Sequence, residues 1–319
     1  MWFGLQEFCT AKLGDLRRKV AQCQRQRTYV EVFGGGASVL LNKERSAKEF
    51  YNDFNSNLVN LFRMVRDHPK ELQAALRYIL NSREDFDTVK ARLARGHNKD
   101  PVLWARDFYQ LIRQSYGGGG TSFGASPRST WAAFPLIDAV AERFQYVVVE
   151  HMSYERLLRT HDSEGTIFYL DPPYVLTEDY YGDLFGFPDH MLLAEILLEI
   201  KARWLLSYND CDTIRALYSV PGVYIEKIER INNLAQRYDP GTMYQELLIS
   251  NYDTECPFKT VGHYRDVTRL EMRNASKHYA RIIQERRSEY RLSTIYYIYG
   301  RTRTNEKCRY QNCRSRNIA

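Results

Sequence analysis

Short apolar runs alternate with helical periodicity in the first part of the chain. Residues 29–33 form a β-branched and aromatic run that ends in the glycines 34–36, and apolar residues follow at 39–41. This order is typical of a strand, a tight glycine turn and a helix. A second short strand is predicted at Glu49–Tyr51, and apolar residues then recur at helical spacing from Leu58 to Val65.

The second half of the chain repeats this alternation. A long helix is predicted from about Asp189 to Lys201, because one of its faces is apolar. Strands that alternate with helices favour a mainly parallel sheet covered on both faces, which is an α/β, Rossmann-like arrangement. The further predicted strands are Tyr146–Glu150, Thr166–Leu170, Trp204–Ser207, Val223–Ile225 and Leu247–Ile249, with a polar loop from Asn232 to Met243.

Between the two halves, residues 66–142 are helical and charged in pattern, and a glycine-rich stretch interrupts them. We interpret this segment as a small inserted helical domain. Residues 1–65 and 143–254 then form one catalytic domain. Residues 255–319 show no comparable alternation and end in a basic, tyrosine-rich tail, so we expect a partly disordered extension.

Net charge, hydropathy and cysteine spacing restrict the kinds of protein that this chain could be. The net charge of +6 suits a polyanionic partner without proving one. No stretch approaches the roughly 18 to 20 apolar residues that a membrane helix needs, so we expect a soluble, cytoplasmic protein. The six cysteines are scattered and lack zinc-ligand spacing, which predicts free thiols and no metal site.

The sharpest chemical signal is Asp171-Pro172-Pro173-Tyr174, directly after a predicted apolar strand. Open α/β sheets bind ligands just beyond that end of the strands. Two prolines stiffen a turn in which the Asp171 carboxylate and the Pro172 carbonyl can accept from one amino group, while Tyr174 offers a flat face. The alternative is that the four residues form only a rigid loop.

An amino group on a planar base needs such an arrangement. Its lone pair is delocalised into the ring, so the nitrogen is a poor nucleophile until acceptors draw it towards a tetrahedral geometry. Asp171 or solvent must also remove a proton from the methylated amine. We therefore predict Asp171, Pro172, Pro173 and Tyr174 as the catalytic residues.

The glycine turn is the second signal. Gly34 and Gly36 allow backbone to approach a ligand closely, but neither the dinucleotide spacing nor a phosphate-cradling lysine is present. A cofactor without phosphates fits better. Asp53 ends the next strand, where acidic side chains bind ribose hydroxyls, although it could instead cap the following helix. Glu31 could face a ligand amino group, and Phe33 belongs to the same predicted cofactor site.

The predicted insertion carries many basic side chains interleaved with aromatic ones, which suits contact with phosphates. A solvated helical face with core aromatics explains the same pattern equally well. The candidate DNA-binding residues are those around the glycine-rich stretch, namely Arg113, Gln114, Tyr116 and Arg128.

With these residues in view, the chain resembles the Dam-like family of adenine-N6 DNA methyltransferases, in particular members carried by phages and prophages. The resemblance implies that Gly34, Gly36 and Asp53 contact S-adenosylmethionine, that residues 171–174 hold a flipped adenine, and that the insertion contacts DNA. It implies a sulfonium close to Tyr174 and Asp171, and no metal. It is carried by residues 31–37, 51–55, 168–174, 206–210 and 246–252.

Two positions depart from the family pattern. Family members usually begin with a glycine-rich segment that ends in a cofactor-binding lysine, and here Lys12 is the nearest candidate. An acidic residue usually follows the strand before the catalytic one, whereas this chain has Ser153, so Ser153 or Glu150 would have to substitute. Each lost charge-assisted hydrogen bond weakens cofactor binding by about 1.5 to 3 kcal/mol.

The leading hypothesis is therefore a site-specific methyltransferase that modifies the exocyclic N6 of adenine in duplex DNA with S-adenosylmethionine, as a monomer or weak dimer. One alternative keeps the cofactor and changes the acceptor to cytosine N4. Another is a catalytically degenerate relative that only binds DNA. Neither the recognition sequence nor a partner restriction enzyme can be read from the sequence.

Overall fold

A computed structural model describes residues 27–125, 129–175, 185–231 and 243–254 of the chain. These residues form a seven-stranded sheet in the order β3-β2-β1-β4-β5-β7-β6. The strands are β1 (Thr28–Glu31), β2 (Lys48–Asn52), β3 (Val147–Glu150), β4 (Thr166–Leu170), β5 (Arg203–Asn209), β6 (Tyr224–Ile231) and β7 (Met243–Ser250).

Nine α-helices lie in the described ranges. Short 3₁₀ turns at Tyr116–Gly118 and Trp131–Ala133 add to them. The helices are α1 (Ser38–Asn42), α2 (Ser56–Asp67), α3 (Pro69–Leu76), α4 (Arg83–Arg95), α5 (Pro101–Gln114), α6 (Phe134–Phe144), α7 (Tyr154–His161), α8 (Phe187–Glu199) and α9 (Asp212–Tyr218).

The sheet is mostly parallel and changes winding direction at β1. Strand β1 pairs in parallel with β2 on one side and with β4 on the other, and β7 enters antiparallel between β5 and β6. Because crossovers between parallel strands are right-handed, the connections on the two sides of β1 cover opposite faces. The carboxyl ends of β1 and β4 therefore border the crevice in which such folds bind ligands.

The predicted Rossmann-like sheet is confirmed. The predicted strand Thr166–Leu170 has the bounds of β4, whose five residues are all buried and so read as an uninterrupted apolar run. Strand β6 is longer than predicted, because exposed charged residues such as Glu226 and Lys227 interrupt its apolar signal. Strand β7 is also longer, because the polar residues Gln245 and Glu246 precede its apolar run. Most of the predicted polar loop from 232 onward lies outside the described residues, as does the predicted extension 255–319.

One hydrophobic cluster joins the sheet to the helices that follow β2. Tyr51 packs on Phe62 with ring centroids 4.7 Å apart, and Phe62 stacks on Phe144 at the same distance. Leu72 and Phe108, from the segment predicted as an insertion, belong to the same cluster. The apolar core is thus continuous from β2 through α3, α5 and α6. The division into two domains stays a prediction.

A buried ion cluster ties β2 to α6. The Glu49 carboxylate accepts from the Lys43 ammonium, from the Arg143 guanidinium and from the Ser46 backbone N–H. Burial alone would raise the pKa of Glu49, but the bonds from Arg143 and Lys43 hold that pKa below its usual value. Arg143 also donates to the Leu40 carbonyl, so the cluster fixes the end of α1 against the sheet.

Within the described ranges, no helix is long and apolar enough to cross a membrane. The same ranges contain no group of three His, Cys, Asp or Glu side chains placed to hold a metal ion. Cys211 is a free thiol, and the other five cysteines lie outside the described residues.

Candidate active site

The loops that follow β1 and β4 lie side by side at the carboxyl edge of the sheet. Glu31 at the end of β1 pairs with Tyr169 near the end of β4, and the Val32 N–H donates to the Tyr169 carbonyl at 3.0 Å. The glycine turn at 34–36 and the turn at 171–174 therefore begin from adjacent points. The two strongest sequence signals meet at one edge.

The glycine turn is tightly packed against β2. The Gly34 N–H donates to the Asn52 carbonyl at 2.8 Å, and the Tyr51 hydroxyl donates to the Gly35 carbonyl at 2.9 Å. A Cβ at Gly34 would overlap the Tyr51 ring, with Cδ2 and Cζ only 2.7 Å away. Gly34 is thus required by the buried ring, and Gly35 by its φ of +48°.

Asp53 connects the loops that follow β1 and β2. Its carboxylate accepts from the Gly35 N–H at 2.8 Å and from the Asn55 N–H at 2.7 Å. Burial raises the pKa of Asp53, and these two bonds oppose that effect. The cap of α2 is Asn55, whose side chain accepts from the Asn57 N–H, so Asp53 does not serve as the helix cap.

Glu31 is buried and faces the protein. Its Oε2 accepts from the Tyr29 hydroxyl at 2.9 Å and from the Leu40 N–H at 2.8 Å. Burial raises the pKa of Glu31 to about 7, and the negative charge of Asp171 adds to this rise. The carboxylate thus joins β1 to α1, directly beneath the loop that we predict to bind the cofactor.

The sequence alone indicated no role for Asn52, although it lies in the segment 51–55 that carries the family resemblance. The Asn52 amide donates to the Val32 carbonyl at 3.0 Å and to the Met152 carbonyl at 3.1 Å, and its Oδ1 accepts from the Met152 N–H. Asn52 therefore links the loops after β1 and β3. No local sequence signal predicts a contact between residues 100 positions apart.

An aromatic group lies beside these loops. The Phe33 ring is 5.6 Å from the Tyr154 ring and 5.6 Å from the Phe185 ring. Ser153 precedes α7 as its N-cap, and its side chain makes no capping hydrogen bond. Phe33 and Ser153 thus both lie at the carboxyl edge, on the loops after β1 and β3.

The turn after β4 presents Asp171 to solvent and holds Tyr174 further in. Asp171 is exposed and Pro172 is buried. The Tyr174 hydroxyl donates to Glu246 Oε1 at 3.1 Å and lies 3.4 Å from Ser207 Oγ. Burial, followed by the charges of Asp171 and Glu246, raises the pKa of Tyr174 far above its usual value, so the phenol stays neutral.

Strands β5 and β7 thereby contribute residues that sequence reasoning left without a role. Ser207 and Glu246 are both fully buried, on β5 and β7 respectively. Asn209 donates to the carbonyl of Val175, the residue after Tyr174, at 3.3 Å. These residues lie in the segments 206–210 and 246–252, which carry the family resemblance. Only the order of the strands shows that they meet at the turn that contains Tyr174.

The glycine-rich stretch after α5 forms a small hairpin. Ser115 pairs with Phe123, and the Tyr116 N–H donates to the Ser122 carbonyl at 2.8 Å. Its tip uses glycines with positive φ, and Tyr116 is 48% exposed. This hairpin offers an exposed aromatic side chain at the point where the sequence predicts a DNA contact.

The neighbouring polar residues are buried instead. Gln114 donates to the Leu80 carbonyl at 2.6 Å, and Arg113 donates to the Ser129 carbonyl at 3.4 Å. Both are at most 5% exposed, so in this conformation they tie the end of α5 to the segments that contain Leu80 and Ser129. Their predicted contact with DNA is not tested by this arrangement. The remaining two predicted residues, Lys12 and Arg128, lie outside the described residues.

Comparison with known proteins gives a consistent result. Residues 14–236 match the family described as D12 class N6 adenine-specific DNA methyltransferase. The chain is similar to the Type II methyltransferase M.CviBI of Paramecium bursaria Chlorella virus NC1A, at 23% identity over 60% of this chain and 76% of that protein. It is also similar to the Type II methyltransferase M1.LlaDCHI of Lactococcus lactis subsp. cremoris, at 23% identity over 70% of this chain and 86% of that protein.

Proposed function

The chain belongs to the D12 class of N6 adenine-specific DNA methyltransferases, and we propose that it transfers a methyl group from S-adenosylmethionine to an adenine flipped out of duplex DNA. The observation that supports this most directly is the Asp171-Pro172-Pro173-Tyr174 turn, which begins beside the glycine turn at the point where the sheet changes direction. One edge thus offers acceptors for an amine next to a cofactor crevice.

The residues at the carboxyl edge suit S-adenosylmethionine. Gly34 and Gly35 bring backbone to the crevice, and Phe33 offers an aromatic face. Asp53 would accept from ribose hydroxyls. Glu31 and Asp171 lie close enough for their charges to interact, so this edge favours a cationic ligand over a phosphate. When bound, S-adenosylmethionine would supply the electrophilic methyl group.

The turn after β4 would prepare the amine. Asp171, which is exposed, and the Pro172 carbonyl would each accept one N–H of the adenine amino group, and Tyr174 would stack on the ring. These bonds draw the nitrogen lone pair out of conjugation. Asp171 or water then takes the proton that the methylated amine loses.

The hairpin after α5 would contact the DNA. Tyr116 projects from it into solvent, with a glycine tip that can fit against a groove. Extruding a base from a duplex costs a few kcal/mol, which an inserted aromatic side chain can offset by restoring stacking. Arg113 and Gln114 would act indirectly, by fixing the end of α5 from which the hairpin begins.

Replacing Asp171 tests this mechanism. We expect Asp171→Ala to lower methyl transfer by at least ~100-fold, because it removes one acceptor and the proton acceptor. DNA binding should change little, since phosphate contacts dominate affinity. The matched control is Asp138→Ala, a partly exposed aspartate on α6 that accepts from Lys70 and Gln73. Full activity of Asp171→Ala in a folded protein would refute the mechanism.

A further inference from the structure

A buried carboxylate on β7 reaches the turn that follows β4. Glu246 is fully buried, and the register of the sheet places it opposite Asn209 of β5. Its Oε1 accepts from the Tyr174 hydroxyl at 3.1 Å, and Ser207 Oγ lies 3.4 Å from the same hydroxyl. Two neighbouring strands therefore hold one phenol oxygen.

Stability alone does not account for this carboxylate. A buried charge is costly to desolvate, and an apolar residue of similar size often serves stability equally well. The Tyr174 phenol stays protonated, because burial and the charges of Asp171 and Glu246 oppose its ionisation. The hydroxyl is therefore a donor, and Glu246 Oε1, at 3.1 Å, lies nearer to it than Ser207 Oγ, at 3.4 Å.

This bond fixes the far end of the Tyr174 side chain. The near end is fixed by the backbone, which Pro172 and Pro173 stiffen and which Asn209 restrains through the Val175 carbonyl. A ring held at both ends cannot swing or tilt, and because a phenol O–H donates close to the ring plane, a fixed acceptor also favours one rotation of the ring. Stacking and in-line transfer depend on such alignment, and a small misplacement of a reactant can lower a rate by about 100-fold.

We propose that Glu246 is a positioning residue, which acts through the Tyr174 hydroxyl to hold the aromatic plane against the target base. This inference rests on the proposed function, in which Tyr174 stacks on adenine. Glu246 itself touches neither base nor cofactor in this assignment. Its contribution should appear in the rate of transfer and not in DNA affinity.

The test compares single-turnover methyl transfer by four variants of the full chain. Glu246→Leu removes the acceptor at similar volume, Glu246→Gln keeps a neutral acceptor, and Tyr174→Phe removes the donor. The fourth variant is the double Glu246→Leu/Tyr174→Phe. Glu229→Leu, an exposed glutamate on the neighbouring β6, is the control. Duplex DNA in which 2-aminopurine replaces the adenine that the wild-type protein is found to methylate reports stacking by its fluorescence.

We expect Glu246→Leu and Tyr174→Phe each to lower the transfer rate about 10-fold or more, because loss of the Tyr174–Glu246 bond misaligns the stacked base. The double variant should be no slower than either single variant, because both remove the same interaction. Glu246→Gln should recover much of the rate. Dissociation constants for DNA and cofactor should stay within about 2-fold, while 2-aminopurine stacking weakens.

Unchanged transfer by Glu246→Leu, or effects that add in the double variant, would overturn the assignment while leaving the proposed function intact. If Glu246→Leu does not fold, Tyr174→Phe decides alone, since it breaks the same bond and keeps the ring; an unchanged rate would then overturn the assignment. A wild-type protein that transfers no label to DNA would overturn the proposed function first, and this inference with it.

Discussion

The substitution Gly34→Ala tests whether Gly34 is required because its backbone lies against the Tyr51 ring, and not because glycine is flexible. A Cβ at this position would lie 2.7 Å from two carbons of the Tyr51 ring and nearer still to a third. That ring is fully buried, packs on Phe62 at 4.7 Å and bonds to the Gly35 carbonyl. It cannot move aside without disturbing the core.

The expected destabilisation follows from these contacts. Overpacking a filled core costs about 1 to 3 kcal/mol, and losing the Tyr51 hydrogen bond adds about 1 kcal/mol. Gly34→Ala should therefore lower the free energy of unfolding by about 2 to 4 kcal/mol. The displaced turn should also raise the dissociation constant for S-adenosylmethionine by ~10-fold or more, since this loop would line its site.

Gly35→Ala is the matched control. Its φ of +48° strains any L side chain, but nothing lies within 4 Å of the added Cβ. It should cost only about 1 to 2 kcal/mol. Urea denaturation followed by tryptophan fluorescence measures both variants, and isothermal titration measures cofactor binding. If Gly34→Ala is as stable as the wild type, or loses no more free energy of unfolding than Gly35→Ala, then the Tyr51 ring does not exclude a side chain at position 34.

Three further outcomes are expected. Arg143→Met should lower the free energy of unfolding by about 3 to 5 kcal/mol in chemical denaturation, because it leaves Glu49 buried with one cation fewer; a loss below ~1 kcal/mol would contradict this. Because the pKa of Glu31 is raised from 4.5 to about 7, the folded protein binds more protons than the unfolded chain between these two pH values. The free energy of unfolding should therefore fall as the pH rises from 4.5 to about 7. Glu31→Gln should flatten that slope in denaturation from pH 4 to 8, and an unchanged slope would refute the assignment. Tyr116→Ala should weaken base extrusion, seen as lower 2-aminopurine fluorescence in the bound duplex, with overall DNA affinity changing less than ~5-fold.

The strands and turns that carry the site could be predicted from local sequence. Strand β4 is buried on both faces, so it reads as a continuous apolar run, and two prolines mark its end. The glycine turn after β1 is equally local. The crevice between them follows from the order of strands and helices, because a parallel sheet aligns the carboxyl ends of its strands.

The supporting residues could not be predicted in the same way. Glu246 meets Tyr174 across 72 positions, and only because β7 enters the sheet antiparallel beside β5. Asn52 meets Met152 across 100 positions. Such contacts depend on tertiary order, which neither composition nor periodicity encodes.

The burial of Arg113 and Gln114 was not predicted, for a different reason. Their polar character and their place beside the glycine stretch favoured contact with DNA. However, they follow Tyr109 and Gln110 at a spacing of four, on the buried face of α5. The helical spacing therefore indicated that both residues are buried, whereas their polar side chains suggested exposure.

As a member of an N6 adenine-specific family, this enzyme should methylate adenine at N6. The most direct test is to incubate the purified chain with tritiated S-adenosylmethionine and mixed-sequence duplex DNA, then digest the DNA and separate the nucleosides. We predict label in N6-methyladenine, lowered at least ~100-fold in the reaction with Asp171→Ala. Label in methylcytosine, or no label from a folded protein that binds both DNA and cofactor, would contradict it.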